Sequence, residues 1–304
     1  MTAAVTRLRT SGAAVTVADA IERFVAQPDL LDTTLHTYRA SLARFADDVG
    51  ADTPLEQLDE DVVEAHLTAS YGTAAPAYFN RHRAAIGSLF AFAVKKRWVV
   101  SNPVELVDRR KLRGAKDRTL SFAQLEASWT DPAVALRERC LWVTLYETAA
   151  RASEILQLNV EDLDLAERSA TITGKGGDVQ EVFWATTTAR LLDRLLAGRS
   201  TGPVFVGDRR PKQQQPARDL TPEGYGRLSY RRAEEIFTAH TGWTLHQLRH
   251  SSLTHLAEAG VDVSLLKAKS RHASLRSLEV YLHPSRDTVK RLTAEHDSMN
   301  RHRR

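Results

Sequence analysis

The chain has 304 residues, 42% hydrophobic and 26% charged, with a formal net charge of +4. That length suits two domains with cores of their own, and no apolar run approaches the ~20 residues of a membrane-spanning helix. The single cysteine, Cys140, excludes an internal disulfide, and the basic balance favours a polyanionic partner.

The opening MTAAVTRLRT lacks the apolar core of a signal peptide, so a cytoplasmic protein is expected. Residues 1–15 read as a flexible lead. Thr16-Val17-Ala18-Asp19 is a helix-start signature, and Val17, Ile21, Phe24 and Val25 follow on one helical face. Leu35, Tyr38, Leu42 and Phe45 define a second helix, and Leu58, Val62, Val63 and Leu67 a third. A fourth is expected over about 77–98, with Ile86, Leu89, Phe90 and Val94 as its apolar stripe. Residues 16–105 thus read as a small all-helical domain. The fourth helix also carries Arg81, Arg83, Lys95 and Lys96, which is either an ordinary solvated face or a DNA-facing one.

Asn102-Pro103 ends that domain. Residues 106–118 hold Arg109, Arg110, Lys111, Arg113, Lys116 and Arg118 with little apolar periodicity. They read as a basic linker, either solvated or laid along a phosphate backbone. Ser121-Phe122-Ala123-Gln124 is a capping box that opens a larger domain, 119–304. Here a long apolar helix is expected over about 133–148. Strands follow around LDL, SATITG and QEVFWA, with a Gly-rich turn at Gly174-Lys175-Gly176-Gly177. Helices are expected again at about 187–198, 222–240, 246–259, 263–270, 274–282 and 285–296. The fold class is mainly α with a small β-sheet in the larger domain.

His246-Gln247-Leu248-Arg249-His250 begins a helix, so His246 and Arg249, three apart, share a face. A helix N-terminus also favours anions. Arg271-His272 comes next, and Tyr281 stands nine residues after His272. Far upstream is Thr148-Ala149-Ala150-Arg151-Ala152-Ser153-Glu154. Lys175 lies between, the only lysine from Lys116 to Lys212 in a chain with 33 arginines and 9 lysines. His246 and His250 lack the further ligands of a zinc site. There is no phosphate-binding Gly-rich loop with its lysine, so neither metal nor cofactor is expected.

In this order and spacing, Arg151, Lys175, His246 with Arg249, His272 and Tyr281 resemble the tyrosine recombinase (phage integrase) family. The size is similar to Xer recombinases and short phage or transposon integrases. Two places depart from the family pattern. Ala149-Ala150 stands where Gly-Leu commonly precedes the first arginine, and Arg271 where glycine commonly precedes the histidine. The resemblance implies a core-binding domain at 16–105, a catalytic domain at 119–304 with a C-terminal helix, and a C-shaped clamp on double-stranded DNA. It implies a homotetramer on two DNA sites, with a second recombinase or an accessory protein as further partners, acting on the nucleoid.

The implied reaction is cleavage and rejoining of DNA through a 3′ phosphotyrosyl link, without ATP. The residue types suit it. Two guanidiniums, Arg151 and Arg249, can clamp the non-bridging oxygens of a phosphodiester. His246 and His272 can add hydrogen bonds, and Tyr281 is the nucleophile in a cationic pocket that favours phenolate. The family assigns the lysine the role of acid for the 5′ oxygen. Glu154 either orients Arg151 or forms a plain helix ion pair. A type IB topoisomerase-like strand transferase, a catalytically silent DNA-binding relative and a helical transcription regulator are the alternatives.

Overall fold

The computed structural model describes residues 14–28, 32–112, 119–174 and 177–271, together with positions 278, 281, 290, 293 and 294. The chain divides into two compact units, Met1–Ala115 and Lys116–Arg304. Among the described residues no helix is long and apolar enough to cross a membrane.

Among its described residues unit one has four α-helices, α1 (Val17–Val25), α2 (Asp32–Val49), α3 (Glu60–Tyr71) and α4 (Pro76–Lys95). Thr16 caps α1, its Oγ1 accepting the Asp19 N–H at 3.2 Å. Asp59 caps α3 in the same way through the Val62 N–H, at 3.0 Å. The apolar stripes face inwards, so that Val17, Phe24, Leu42, Phe45, Leu67, Ile86, Leu89 and Phe90 form one buried core. Helix α4 ends at Lys95, short of Trp98, because Arg97 turns left-handed at φ 61°. The chain beyond Asn102-Pro103 still folds onto this unit, since Val104 and Val107 are buried in its core.

The capping box expected at Ser121 is present in unit two. Ser121 and Gln124 form both bonds of a capping box at the start of α5 (Phe122–Thr130), at 2.9 and 3.3 Å. Helix α6 (Leu136–Thr148) is covered on nearly all sides, which is why its apolar run lacks a polar stripe. Around it lie α7 (Ala152–Leu156), α8 (Thr186–Leu196), α9 (Tyr230–Thr241), α10 (Leu245–Glu258) and α11 (Val263–Ser270). Strands β1 (Leu163–Asp164), β2 (Ser169–Thr173) and β3 (Val179–Phe183) make one antiparallel sheet in sequence order. Ser169 pairs with Phe183 and Thr173 with Val179, so β2 and β3 form a hairpin. Ala170, Ile172 and Val182 turn inwards to the core built on Trp142, Ile155, Phe205 and Phe237.

Among the described residues the largest departure in helix length is in α9. The helix read from 222 begins at Tyr230, capped by Ser229. Thr221-Pro222-Glu223 mimics a helix start, but Gly224 is left-handed at φ 82°. The Thr221 N–H donates to the Tyr225 carbonyl at 2.8 Å and closes a turn instead.

Candidate active site

Helix α6 ends because Ala149 adopts a left-handed backbone, φ 50° and ψ 27°. This is the first place where the chain departs from the family's glycine. Arg151 follows in extended conformation, at the N-cap of α7 rather than inside a helix. Its side chain is 42% exposed, while that of Glu154 is 6% exposed. Glu154 grips Arg151 twice. Oε2 accepts the Arg151 backbone N–H at 2.9 Å, and Oε1 accepts Nη1 at 2.7 Å. Burial works against the Glu154 carboxylate, but these bonds and the charge of Arg271 outweigh it and hold its pKa below the ordinary range.

Arg249 lies on α10 and is 2% exposed. Its Nη1 donates to the Ala149 carbonyl and its Nη2 to the Ser270 carbonyl, the latter at 2.5 Å. Burial, then the neighbouring charges of Arg151 and Arg271, lower its pKa to about 10. It is therefore still a cation at neutral pH. His246 stands one turn before it, exposed on the first turn of α10. That helix terminus already has acceptors of its own. The Leu245 N–H donates to Glu234 Oε2 at 3.0 Å and the Thr244 N–H to Gln247 Oε1 at 2.9 Å.

Tyr281 is half-buried, and its backbone N–H donates to the Leu278 carbonyl at 2.8 Å. Its ring lies 5.1 Å from that of His250, centroid to centroid, tilted by 47°. Burial raises the phenol pKa, and Arg249 and Arg151 pull it back only in part. The two arginines do favour phenolate, as a cationic pocket should, but in the protein alone desolvation outweighs them. Arg271 completes the cluster, its Nη2 3.1 Å from Glu154 Oε2. Its backbone is left-handed too, at φ 55°, so both places where glycine is replaced carry positive φ.

The structure therefore gathers Arg151, Arg249, Tyr281 and Glu154. It places His246 on the helix that holds Arg249. Lys175 and His272 lie outside the described residues, as does Arg113. The far end of β3 is anchored to α11. Lys269 Nζ on α11 donates to the Phe183 carbonyl at the end of β3, at 3.1 Å. Sequence reasoning marked Arg271 only as a departure from the family's glycine and gave it no role, and it did not find the His250–Tyr281 contact. Adjacency to the H-x-x-R and R-H motifs was the only signal for either.

In unit one the basic residues fall into two groups. Arg81, Lys95, Lys96, Arg109 and Lys111 are exposed. Arg83 and Arg110 instead hold the unit together, which corrects their reading as DNA-facing side chains. Arg83 donates Nε to the Val107 carbonyl at 2.7 Å and Nη2 to the Val104 carbonyl at 2.6 Å. Arg110 Nη1 donates to the Gly72 carbonyl at the end of α3, at 2.7 Å, and its guanidinium stacks 3.9 Å from the Phe79 ring. A cation there suits the helix C-terminus.

Residues 120–287 match the phage integrase family. The chain is 27% identical over 296 residues to the tyrosine recombinase XerD of Ralstonia nicotianae, covering 91% of this chain and 94% of that one. It is 30% identical over 289 residues to the tyrosine recombinase XerC of Mycobacterium sp. strain JLS, covering 86% and 91%. Among solved structures, the Tn1549 transposon integrase in complex with circular intermediate DNA superposes with a TM-score of 0.72. That match has 17% identity and covers 92% of this chain and 99% of the other, a likeness of fold. With the family matched over more than half of its length and a relative at 30% identity along most of it, the chain belongs to the phage integrase family of tyrosine recombinases.

Proposed function

We propose that the chain is a site-specific DNA recombinase whose nucleophile is Tyr281. The phenolic oxygen attacks the phosphorus, and the bond from phosphorus to the 5′ oxygen breaks. The electron pair leaves with that oxygen, which takes a proton from Lys175. The phenol proton passes to His246, and His272 adds a hydrogen bond to the phosphate. Arg151 and Arg249 face the non-bridging oxygens, where negative charge concentrates in the transition state. The phosphotyrosyl bond retains the energy of the broken diester, so a 5′ hydroxyl can reverse the step without ATP. The observation that carries this reading is that Arg151, Arg249 and Tyr281, drawn from three separate stretches of chain, lie close enough for each arginine's charge to act on the phenol and on the other arginine.

The partner is double-stranded DNA. In this reading residues 16–105 form the core-binding domain and 106–118 the linker, with 119–304 as the catalytic domain. Arg81, Lys95, Lys96, Arg109, Lys111 and Arg113 contact phosphates, which position the protein without reading bases. Four copies act on two sites in the cytoplasm, alone or with a second recombinase, and only some are active at once, which avoids double-strand breaks.

The test is a labelled duplex with a nick near the cleavage point, which traps the covalent complex. Tyr281→Phe should bind this DNA normally and leave no protein–DNA band on a denaturing gel. A band retained by Y281F would overturn the assignment.

A further inference from the structure

Arg271 stands directly before His272, where the family commonly carries glycine. The backbone there is left-handed, φ 55° and ψ 36°. Glycine adopts that conformation freely and other residues rarely do. The chain thus keeps an unfavourable backbone and adds a long cation to it. That cation does not reach out to solvent, for its side chain is only 6% exposed. Nη1 donates to the Lys269 carbonyl at 3.1 Å, and Nη2 donates to Glu154 Oε2 at 3.1 Å, across 117 residues of sequence. The same oxygen accepts the Arg151 backbone N–H, and the other oxygen of that carboxylate holds Arg151 Nη1. One buried carboxylate therefore bridges two arginines. Arg151 is 42% exposed, and Arg271 is buried at 6%.

We propose that Arg271 is a positioning residue, which acts through Glu154 to set the direction of the Arg151 guanidinium. The inference rests on the reading of Arg151 as a phosphate clamp. A carboxylate held from one side only can rotate about its last bond. Arg151 alone holds both oxygens from its own side; Arg271 Nη2 adds a second donor to Oε2 from the opposite side, so the carboxylate plane is pinned and Oε1 presents one direction to Arg151 Nη1 before DNA arrives. Strained backbone persists where its surroundings over-determine it, and this ion pair is such a determinant.

The test compares covalent-complex formation at saturating DNA, and DNA affinity, for the wild type, R271G, E154Q, the double variant and R151A. Glycine suits the left-handed backbone, so R271G removes the side chain without displacing the chain. R271M keeps the buried aliphatic stem and repeats the comparison with packing preserved. R271G and R271M should slow cleavage by about 10–100-fold, the scale of a small misplacement, with little change in affinity. The double variant should be no slower than E154Q alone, since the pair acts as a unit. In R271G, Glu154 faces Arg151 and Arg249 but no longer Arg271. It should protonate at higher pH, so the acid limb of the rate profile should move up. A purely structural role would not move that limb. Wild-type rates in R271G and R271M, or effects that multiply in the double variant, would overturn the inference. Normal cleavage by R151A would instead overturn the clamp reading on which it rests.

Discussion

The carbonyl oxygen of Ala149 accepts a hydrogen bond from Nη1 of Arg249, 100 residues further along the chain. The left-handed turn at Ala149 both ends α6 and presents that carbonyl to a buried guanidinium. A departure from the family's glycine thus sits in direct contact with a member of the proposed catalytic set.

The left-handed backbone costs an alanine roughly 1–2 kcal/mol. Glycine would relieve this, but it gives up a buried methyl, about 0.8 kcal/mol. It also frees the unfolded chain, a further ~0.4–1 kcal/mol. The three nearly cancel, so Ala149→Gly should shift unfolding stability by less than about 1 kcal/mol. Ala149→Val places a β-branched side chain on the same backbone and should destabilise by roughly 2 kcal/mol or more. Urea unfolding of the two variants decides. A large loss in A149G would show that the methyl, not the backbone, governs this position.

The Glu154 carboxyl is held below its ordinary pKa in the folded protein. A depressed group stabilises above its unfolded pKa, about 4.3, and that contribution is lost as pH falls through the folded value. Glu154→Gln should therefore show its full stability deficit at neutral pH and keep it down to about pH 4. Only below that should the wild type converge on the variant. A gap that closes between pH 7 and 5 would contradict the ion-pair geometry.

Tyr281 should titrate above the ordinary tyrosine value of about 10, because burial outweighs its two arginines. The measurement is the ultraviolet difference between wild type and Tyr281→Phe across alkaline pH. Removing a cation, as in Arg151→Gln, should move the transition higher still. A transition below the ordinary value would mean that the cations win without DNA.

The two groups of basic residues in unit one should separate cleanly. Arg83→Ala leaves the Val104 and Val107 carbonyls without its two donors and should cost about 2 kcal/mol. Changing Arg109, Lys111 and Arg113 to Ala should leave stability alone and weaken binding to all sequences alike. It should also flatten the slope of log affinity against log salt by up to about three. An unchanged slope would return that segment to an ordinary solvated linker.

Lys175→Ala should slow cleavage by about 10²–10⁴-fold if the lysine protonates the leaving oxygen. A substrate with sulfur at the bridging 5′ position has a leaving group that needs no acid, and it should recover most of the loss. Equal loss on both substrates would make Lys175 a groove contact.

The helices of unit one and the capping box at Ser121 were readable because their signals are local: apolar spacing and a reciprocal pair three residues apart. Arg151, Arg249 and Tyr281 were readable through motif and order. The rest depended on partners far along the chain. Nothing in R-H says that the arginine reaches a carboxylate 117 residues away. Arg83 and Arg81 look alike on one helix, yet only the first meets carbonyls of a later turn. The Thr-Pro-Glu at 221–223 is a valid helix start until Gly224 closes a turn beyond it. At the phenol the effect of the neighbouring cations was legible, whereas the larger effect of desolvation is a property of the packed pocket.

Arg249 takes its orientation from carbonyls at Ala149 and Ser270, on either side of it in sequence. Neither carbonyl is in place until α6, α10 and α11 have assembled. An unfolded chain therefore carries Arg249 without the two acceptors that orient it. The guanidinium is aimed by long-range folding and not by its own helix, so any loosening of α6 or α11 against α10 would release it.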